Sequence, residues 1–187
     1  MVKVKETTMF QSYKNLRDGP LNNSCIPCTP PQNEKFLIGF TDAWKVILHP
    51  HQAHIGSCLV TTRRHVGQLT NLTENECADF LNIIQVLETA LKTAFKIDLL
   101  NYLCLMNWAY RRDNPVPSFK DGRPNPHVHW HLITRFEQPI KFRNYTFDDP
   151  CFGDPYDATR QLDLPDGVIN SIRQEILQHL DVTYIDT

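Results

Sequence analysis

The feature that most constrains the fold is one long amphipathic helix predicted in the middle of the chain. Thr73 and Glu76 have the spacing of a capping box, in which a hydroxyl and a carboxylate satisfy backbone N–H groups at a helix start. Behind this cap, apolar side chains recur at helical spacing at Phe80, Ile83, Ile84, Leu87, Leu91 and Phe95. The sequence therefore predicts a helix over residues 73–95 with one apolar face.

Short apolar segments on both sides of this helix are typical of strands. These segments are residues 35–40, 44–48, 56–61, 101–107 and 127–134. A second helix is predicted over residues 165–180, with Pro165 in its first turn and four apolar side chains on one face. The order favours an α+β fold in which an antiparallel sheet of about five strands packs against the long helix, with a C-terminal helix added.

Size and composition narrow the class of protein. A chain of 187 residues is most simply one domain, and 41% hydrophobic with 21% charged residues is ordinary for a soluble globular protein. The net charge of −2 argues against nucleic acid as a partner, since duplex DNA usually requires a basic face. The N-terminus has no apolar signal region and no apolar run could span a membrane, so a cytoplasmic location is expected.

The segment PNPHVHWHLITRF carries three of the eight histidines at alternate positions. In a strand, His127, His129 and His131 share one face of the sheet, while Val128 and Trp130 point to the other. Three interpretations remain open on the spacing alone. The face could be a polar strip, it could bind a metal ion through two or three of the rings, or it could supply a nucleophilic imidazole, which is neutral near pH 7.

The motif HVHWHLI, with its neighbouring segments, resembles the histidine triad (HIT) family of nucleotide hydrolases and transferases. The segments "QAHIGSCLVTTRRHVGQLTNLTENE" and "LMNWAYR" are similar to the family's regions before and after the long helix. The resemblance covers about residues 25–135 and implies a HIT-like fold as a single domain, 1–187. Residues 137–187 would be a C-terminal extension.

The resemblance assigns roles to individual residues. His129 would attack the α-phosphorus of a nucleoside phosphate and form a covalent nucleotidyl-histidine. His131 would bind phosphate oxygens and orient the nucleophile, with Asn107 on the phosphate side. The expected activity is hydrolysis of a dinucleoside polyphosphate, a nucleoside phosphoramidate or a related nucleotide. The alternatives are an adenylyltransferase with the same intermediate, a nucleotide-binding protein without turnover, and a metallohydrolase with the triad on the metal.

The sequence also departs from the family pattern. Ser57 stands where many members have a fourth histidine, and His49 stands where a ribose-binding carboxylate or amide is usual, so by its position each is predicted to contact the nucleotide. Arg123 and Asn125 are the predicted phosphate donors before the triad. Arg111 and Arg112 could serve a longer polyphosphate tail.

Cys25 and Cys28 form a CxxC pair, which by itself indicates a metal site, a redox pair or coincidence. Some HIT proteins bind structural zinc with such a pair, the histidine after a basic dipeptide and the first triad histidine. Here these four ligands would be Cys25, Cys28, His65 and His127. The resemblance further implies a homodimer whose interface uses helix 73–95 and strand 101–107.

Overall fold

The computed structural model describes residues 34–110 and 126–180. These ranges contain two helices, α1 (Glu74–Phe95) and α2 (Asp166–His179). The strands are β1 (Leu37–Phe40), β2 (Trp44–Leu48), β3 (Cys58–Thr62), β4 (Leu99–Leu103), β5 (His129–Arg135), β6 (Ile140–Phe142) and β7 (Tyr145–Phe147).

Five strands form one antiparallel sheet in the order β1-β2-β3-β5-β4. The strand β5 therefore lies between β3 and β4, and its register places His129 opposite Thr61 and His131 between Leu59 and Leu103. The predicted α+β fold, with an antiparallel five-stranded sheet and a long helix, is confirmed. The strands β6 and β7 form a separate hairpin.

The start of α1 is held by the predicted capping box. The Glu76 backbone N–H donates to Thr73 Oγ1 at 3.2 Å, and the Thr73 backbone N–H donates to Glu76 Oε2 at 2.8 Å. The buried face of α1 packs in a continuous core with apolar residues of the sheet, of α2 and of the β6–β7 hairpin. Trp44 joins sheet and helix directly, because its indole N–H donates to the Glu76 carbonyl at 2.8 Å.

Several predicted boundaries were wrong. The first strand begins at Leu37 because residues 34–36 form a 3₁₀ turn, and Pro165 is the N-cap of α2. The strand β4 ends at Leu103, and Asn107 begins a 3₁₀ turn. Within the described ranges, no helix is both long and apolar enough to cross a bilayer.

The strand β5 begins at His129, so His127 lies before the strand and not within it as predicted. The reason is that the chain around His127 contacts the segment after β3. The Val128 N–H donates to the Val66 carbonyl at 2.7 Å, while His127 Nε2 lies 2.9 Å from the Thr62 carbonyl oxygen.

Candidate active site

The ring of His129 is oriented by its own strand. His129 Nδ1 lies 2.8 Å from the carbonyl oxygen of His127, and a carbonyl can only accept a hydrogen bond. Nδ1 therefore carries the proton in neutral His129, and the lone pair is on Nε2. This is the tautomer that an imidazole nucleophile acting through Nε2 requires.

His131 lies beside His129 on the same face of β5, with 5.2 Å between the ring centroids. Burial, and then the neighbouring rings of His129 and His49, lower the pKa of His131 to about 4. The imidazole is thus neutral at physiological pH. It offers one donor and one acceptor to a phosphate group or to a leaving group.

His49 follows β2 and faces His131, with 5.9 Å between their ring centroids. Burial is the main reason that its pKa is lowered, although the hydrogen bond to the backbone of His51 opposes the shift. His49 Nδ1 lies 2.9 Å from the His51 carbonyl oxygen and 3.2 Å from the His51 backbone nitrogen. These two contacts require opposite tautomers, and the shorter one favours a proton on Nδ1.

Ser57 is buried in the wall between β3 and β5. Its Oγ accepts the Thr134 backbone N–H at 3.2 Å and lies 3.4 Å from Thr134 Oγ1. The hydroxyl is thus engaged by the sheet, which is a structural task that the sequence did not predict for it.

Asn107 is exposed at the start of its 3₁₀ turn. The preceding residue, Met106, has a φ of 52°, which is uncommon for a residue with a side chain. This turn follows β4 and brings Asn107 and Trp108 to the histidine face of the sheet.

A pocket of about 310 Å³ joins these residues. Five predicted site residues line it: His49, Ser57, Asn107, His129 and His131. The structure therefore brings together one predicted catalytic pair and three predicted binding residues. The other predicted donors, Arg111, Arg112, Arg123 and Asn125, lie outside the described residues.

The far wall of the pocket was not predicted from the sequence. It is formed by the C-terminal extension, including Tyr156, Asp157 and Arg160, together with His51 and His54 from the loop after β2. His51 is also linked to the extension, since its Nδ1 lies 3.0 Å from Asp163 Oδ1. The acidic residues in "TFDDPCFGDPYD" could have indicated this contact, because a carboxylate in that segment can form an ion pair with the arginine that ends β5.

That pairing is made by Arg135 at the end of β5. Its guanidinium donates to both carboxylate oxygens of Asp149, at 2.6 and 3.2 Å, and both side chains are almost fully buried. It also donates to the carbonyls of Cys151 and Asp154 at 2.5 and 2.9 Å. Arg135 thus attaches the extension to the same strand that carries His129 and His131.

Two of the four predicted zinc ligands lie together at the other end of the triad. The rings of His65 and His127 have centroids 4.9 Å apart. His127 Nε2 lies 2.9 Å from the Thr62 carbonyl oxygen and 2.8 Å from Thr62 Oγ1. The carbonyl can only accept and the hydroxyl can also accept, so both contacts fit a proton on Nε2, which puts the lone pair of a neutral His127 on Nδ1. A backbone contact of this kind is typical of a metal-ligating histidine. Cys25 and Cys28 lie outside the described residues. Within 34–110 and 126–180, no three His, Cys, Asp or Glu side chains are grouped as a metal site.

Comparisons with known proteins agree with this architecture. A histidine triad protein from Marinobacter aquaeolei VT8 superposes with a TM-score of 0.57 at 15% identity, covering 92% of this chain and 97% of its own. A hypothetical histidine triad nucleotide-binding protein from Sulfolobus tokodaii gives 0.53 at 14% identity, covering 77% and 82%. A Zn-bound histidine triad family protein from Mycobacterium smegmatis gives 0.52 at 18% identity, covering 83% and 95%.

At these identities the superpositions show the shared fold. The comparison with curated proteins gave no match. The HIT domain family matches residues 30–138, which is more than half of the chain and includes the whole sheet and α1. This protein therefore belongs to the HIT family.

Proposed function

We propose that this protein is a nucleotide hydrolase that cleaves at the α-phosphate through a covalent intermediate on His129. The observation that carries the proposal is the orientation of His129. The hydrogen bond from Nδ1 to the His127 carbonyl leaves the lone pair on Nε2, and this ring lies in a pocket next to a second neutral histidine. Such an arrangement suits in-line attack on phosphorus better than it suits a polar surface strip.

In the first step, Nε2 of His129 forms a bond to the α-phosphorus while the bond to the bridging oxygen of the leaving group breaks. The imidazole becomes cationic, and the carbonyl dipole of His127 stabilises this charge through Nδ1–H. His131, whose ring is 5.2 Å away, can donate its N–H to the phosphate or to the departing oxygen.

In the second step, water attacks the phosphorus and the P–N bond breaks to return neutral His129. The proton lost by water passes to the acceptor nitrogen of His131 or to solvent. Asn107 lines the pocket, and its side-chain amide can donate to a phosphate oxygen. A transferase would share the first step and differ only in the acceptor.

The test is incubation of the purified protein with nucleotides labelled at the α-phosphate, followed by acid-free denaturing electrophoresis to detect labelled protein. Wild type should become labelled and release nucleoside monophosphate, and His129→Ala should do neither. The matched control is His179→Ala, which removes a histidine of α2 that contacts Glu175 and not the pocket. Full turnover by His129→Ala would contradict the proposal. Product analysis with added phosphate separates hydrolysis from transfer.

Zinc is a second proposal, supported by the proximity of His65 and His127 and by the tautomer of His127. With Cys25 and Cys28 these rings would complete four ligands and hold the strand end next to His129. Metal analysis of the purified protein should give about one zinc per chain, falling in Cys25→Ser and Cys28→Ser. A zinc content unchanged in both variants would exclude this ligand set.

A homodimer is proposed on the exposure of apolar side chains along α1 and β4. Leu81 on α1 is 56% exposed, and Leu99 and Tyr102 on β4 are 39% and 36% exposed. Because β4 lies at one edge of the sheet, a second copy could cover these side chains. Sedimentation velocity should give a dimer for wild type and a monomer for Leu81→Glu, whereas a monomeric wild type would end the proposal.

A further inference from the structure

The side chain of His54 is buried without satisfying its polar atoms. The residue is 6% exposed, and among the described residues neither ring nitrogen has a hydrogen-bond partner of normal geometry, although the Thr134 backbone lies close enough to affect the pKa of the ring. A buried polar group of this kind costs free energy unless a ligand or water completes it. His54 has no role in the proposed chemistry of the triad, so its place in the wall of the pocket calls for a separate explanation.

His54 lies at the end of the pocket that the C-terminal extension encloses. Its ring packs edge-on against Phe136 and Tyr156, at centroid distances of 6.3 and 6.2 Å. Asp157 and Arg160 line the same pocket. Phe136 directly follows β5, and Ile133 lines the pocket between, so this end lies on the His131 side of the pocket, away from His129.

The chemistry of this end favours a neutral ligand group. Burial disfavours the charged form of His54 and is the main reason that its pKa is lowered; Arg135 and Arg160 lower the pKa further, while Asp149 and the Thr134 backbone oppose the shift. A neutral imidazole has one donor and one acceptor. A hydroxyl group can satisfy both, whereas a phosphate oxygen can satisfy only the donor.

The neighbouring side chains fit a sugar. Asp157 Oδ1 already accepts from the backbone N–H and the hydroxyl of Thr159, at 2.8 and 2.6 Å, and its other carboxylate oxygen can accept from a sugar hydroxyl. Tyr156 supplies an aromatic surface for the C–H groups of a sugar ring. Arg160 is paired with Asp148, with its guanidinium 2.9 Å from Asp148 Oδ1. This carboxylate offsets the arginine charge, so the region offers less attraction to a bare phosphate than an unpaired cation would.

We propose that His54, Tyr156 and Asp157 form a subsite for the sugar hydroxyls of the group that departs when His129 attacks the α-phosphorus. In-line displacement places the leaving group opposite the nucleophile, and the pocket extends from His129 past His131 to this end. The inference rests on the proposed function for the identity of the leaving group. Binding of a sugar beside His54 can be measured by itself, without any turnover of a nucleotide.

The binding experiment uses histidine-ring nuclear magnetic resonance on the full chain, with His54→Gln to assign the His54 signal. D-ribose 5-phosphate should shift the His54 signal saturably, and inorganic phosphate at the same concentration should not. His54→Phe, which removes the polar atoms, should weaken ribose 5-phosphate binding about tenfold. An unmoved His54 signal, or equal affinity in His54→Phe and wild type, would overturn the subsite.

The kinetic experiment compares ADP-ribose with ADP, which release ribose 5-phosphate and inorganic phosphate respectively after attack at the adenosine-side phosphorus. The ratio of their kcat/KM values should fall about tenfold in His54→Phe and recover in part in His54→Gln, which again offers a donor and an acceptor. His179→Phe should leave the ratio as in wild type. An unchanged ratio in His54→Phe would overturn the assignment to the leaving group. Absence of a labelled His129 intermediate would instead refute the proposed function, and ribose 5-phosphate binding would then decide the subsite alone.

Discussion

Replacing Arg135 with methionine tests whether the buried ion pair attaches the C-terminal extension to the catalytic strand. The side chains of Arg135 and Asp149 are 3% and 1% exposed and are joined by two hydrogen bonds. Arg135→Met would leave the Asp149 carboxylate buried without its cation. Removing one partner of such a pair typically costs about 3–5 kcal/mol in the free energy of unfolding.

Other contacts of the same guanidinium act in the same direction. Arg135 also donates to Asn101 Oδ1 at 2.8 Å and to two carbonyls of the extension. These carbonyls lie nearer the surface, where water can replace part of the lost hydrogen bonding. We therefore expect the total decrease in the free energy of unfolding of Arg135→Met to stay within about 3–5 kcal/mol. The double variant Arg135→Met, Asp149→Leu should be more stable than Arg135→Met alone, because it leaves no buried charge.

Urea unfolding followed by far-UV circular dichroism measures these differences. The matched control is Lys92→Met, which breaks the exposed Lys92–Glu88 pair, 2.6 Å long, and should cost no more than about 0.5 kcal/mol. Limited proteolysis should cut the extension of Arg135→Met faster than that of wild type. If Arg135→Met loses no more stability than Lys92→Met, the buried ion pair does not hold the extension on β5.

Three further predictions concern local features. Thr73→Ala removes the α1 cap and should lower the free energy of unfolding by about 1 kcal/mol in urea titrations. Gly56→Ala should cost about 2–4 kcal/mol in the same assay, because Gly56 has a φ of 82° and a Cβ there would lie 2.8 Å from Phe95 ring carbons; wild-type stability would contradict the geometry. His131 has a folded pKa of about 4, below its ordinary 6.5, so the unfolded chain binds more protons between these values. Stability should therefore decrease as the pH falls from 6.5 to 4, by about 1–2 kcal/mol after allowance for partial exposure, and His131→Gln should lose this component.

Much of the fold was predictable because its signals are local. The capping box at Thr73 and the helical spacing that follows involve residues three or four apart, and α1 was confirmed over Glu74–Phe95. The strand β2 was confirmed at its predicted bounds. The last predicted strand begins two residues later and ends one residue later than predicted. Its start differs because the hydrogen bond between Val128 and Val66 is a long-range contact without any periodic signature.

The residues of the candidate site likewise fall into those that were predictable from the sequence and those that depend on long-range contacts. The alternation of histidines placed His129 and His131 on one strand face, and the family resemblance selected Asn107, His49 and Ser57, all of which line the pocket. It did not indicate that the Ser57 hydroxyl bonds to Thr134, nor that His54 and the extension form the far wall. These features depend on residues far apart in the chain, such as His51 and Asp163.

The long capped helix, the strand segments and the shared face of the alternating histidines were predictable from local sequence, since each depends on a period of 3.6 or 2 residues. Contacts in three dimensions were needed to establish the strand order of the sheet and to show which ring nitrogen of His129 carries the proton, since the latter depends on the 2.8 Å contact with the His127 carbonyl. The tertiary structure also shows that the extension encloses the pocket. Arg135 holds the extension there by donating hydrogen bonds to Asp149 that are strong because they are buried away from water.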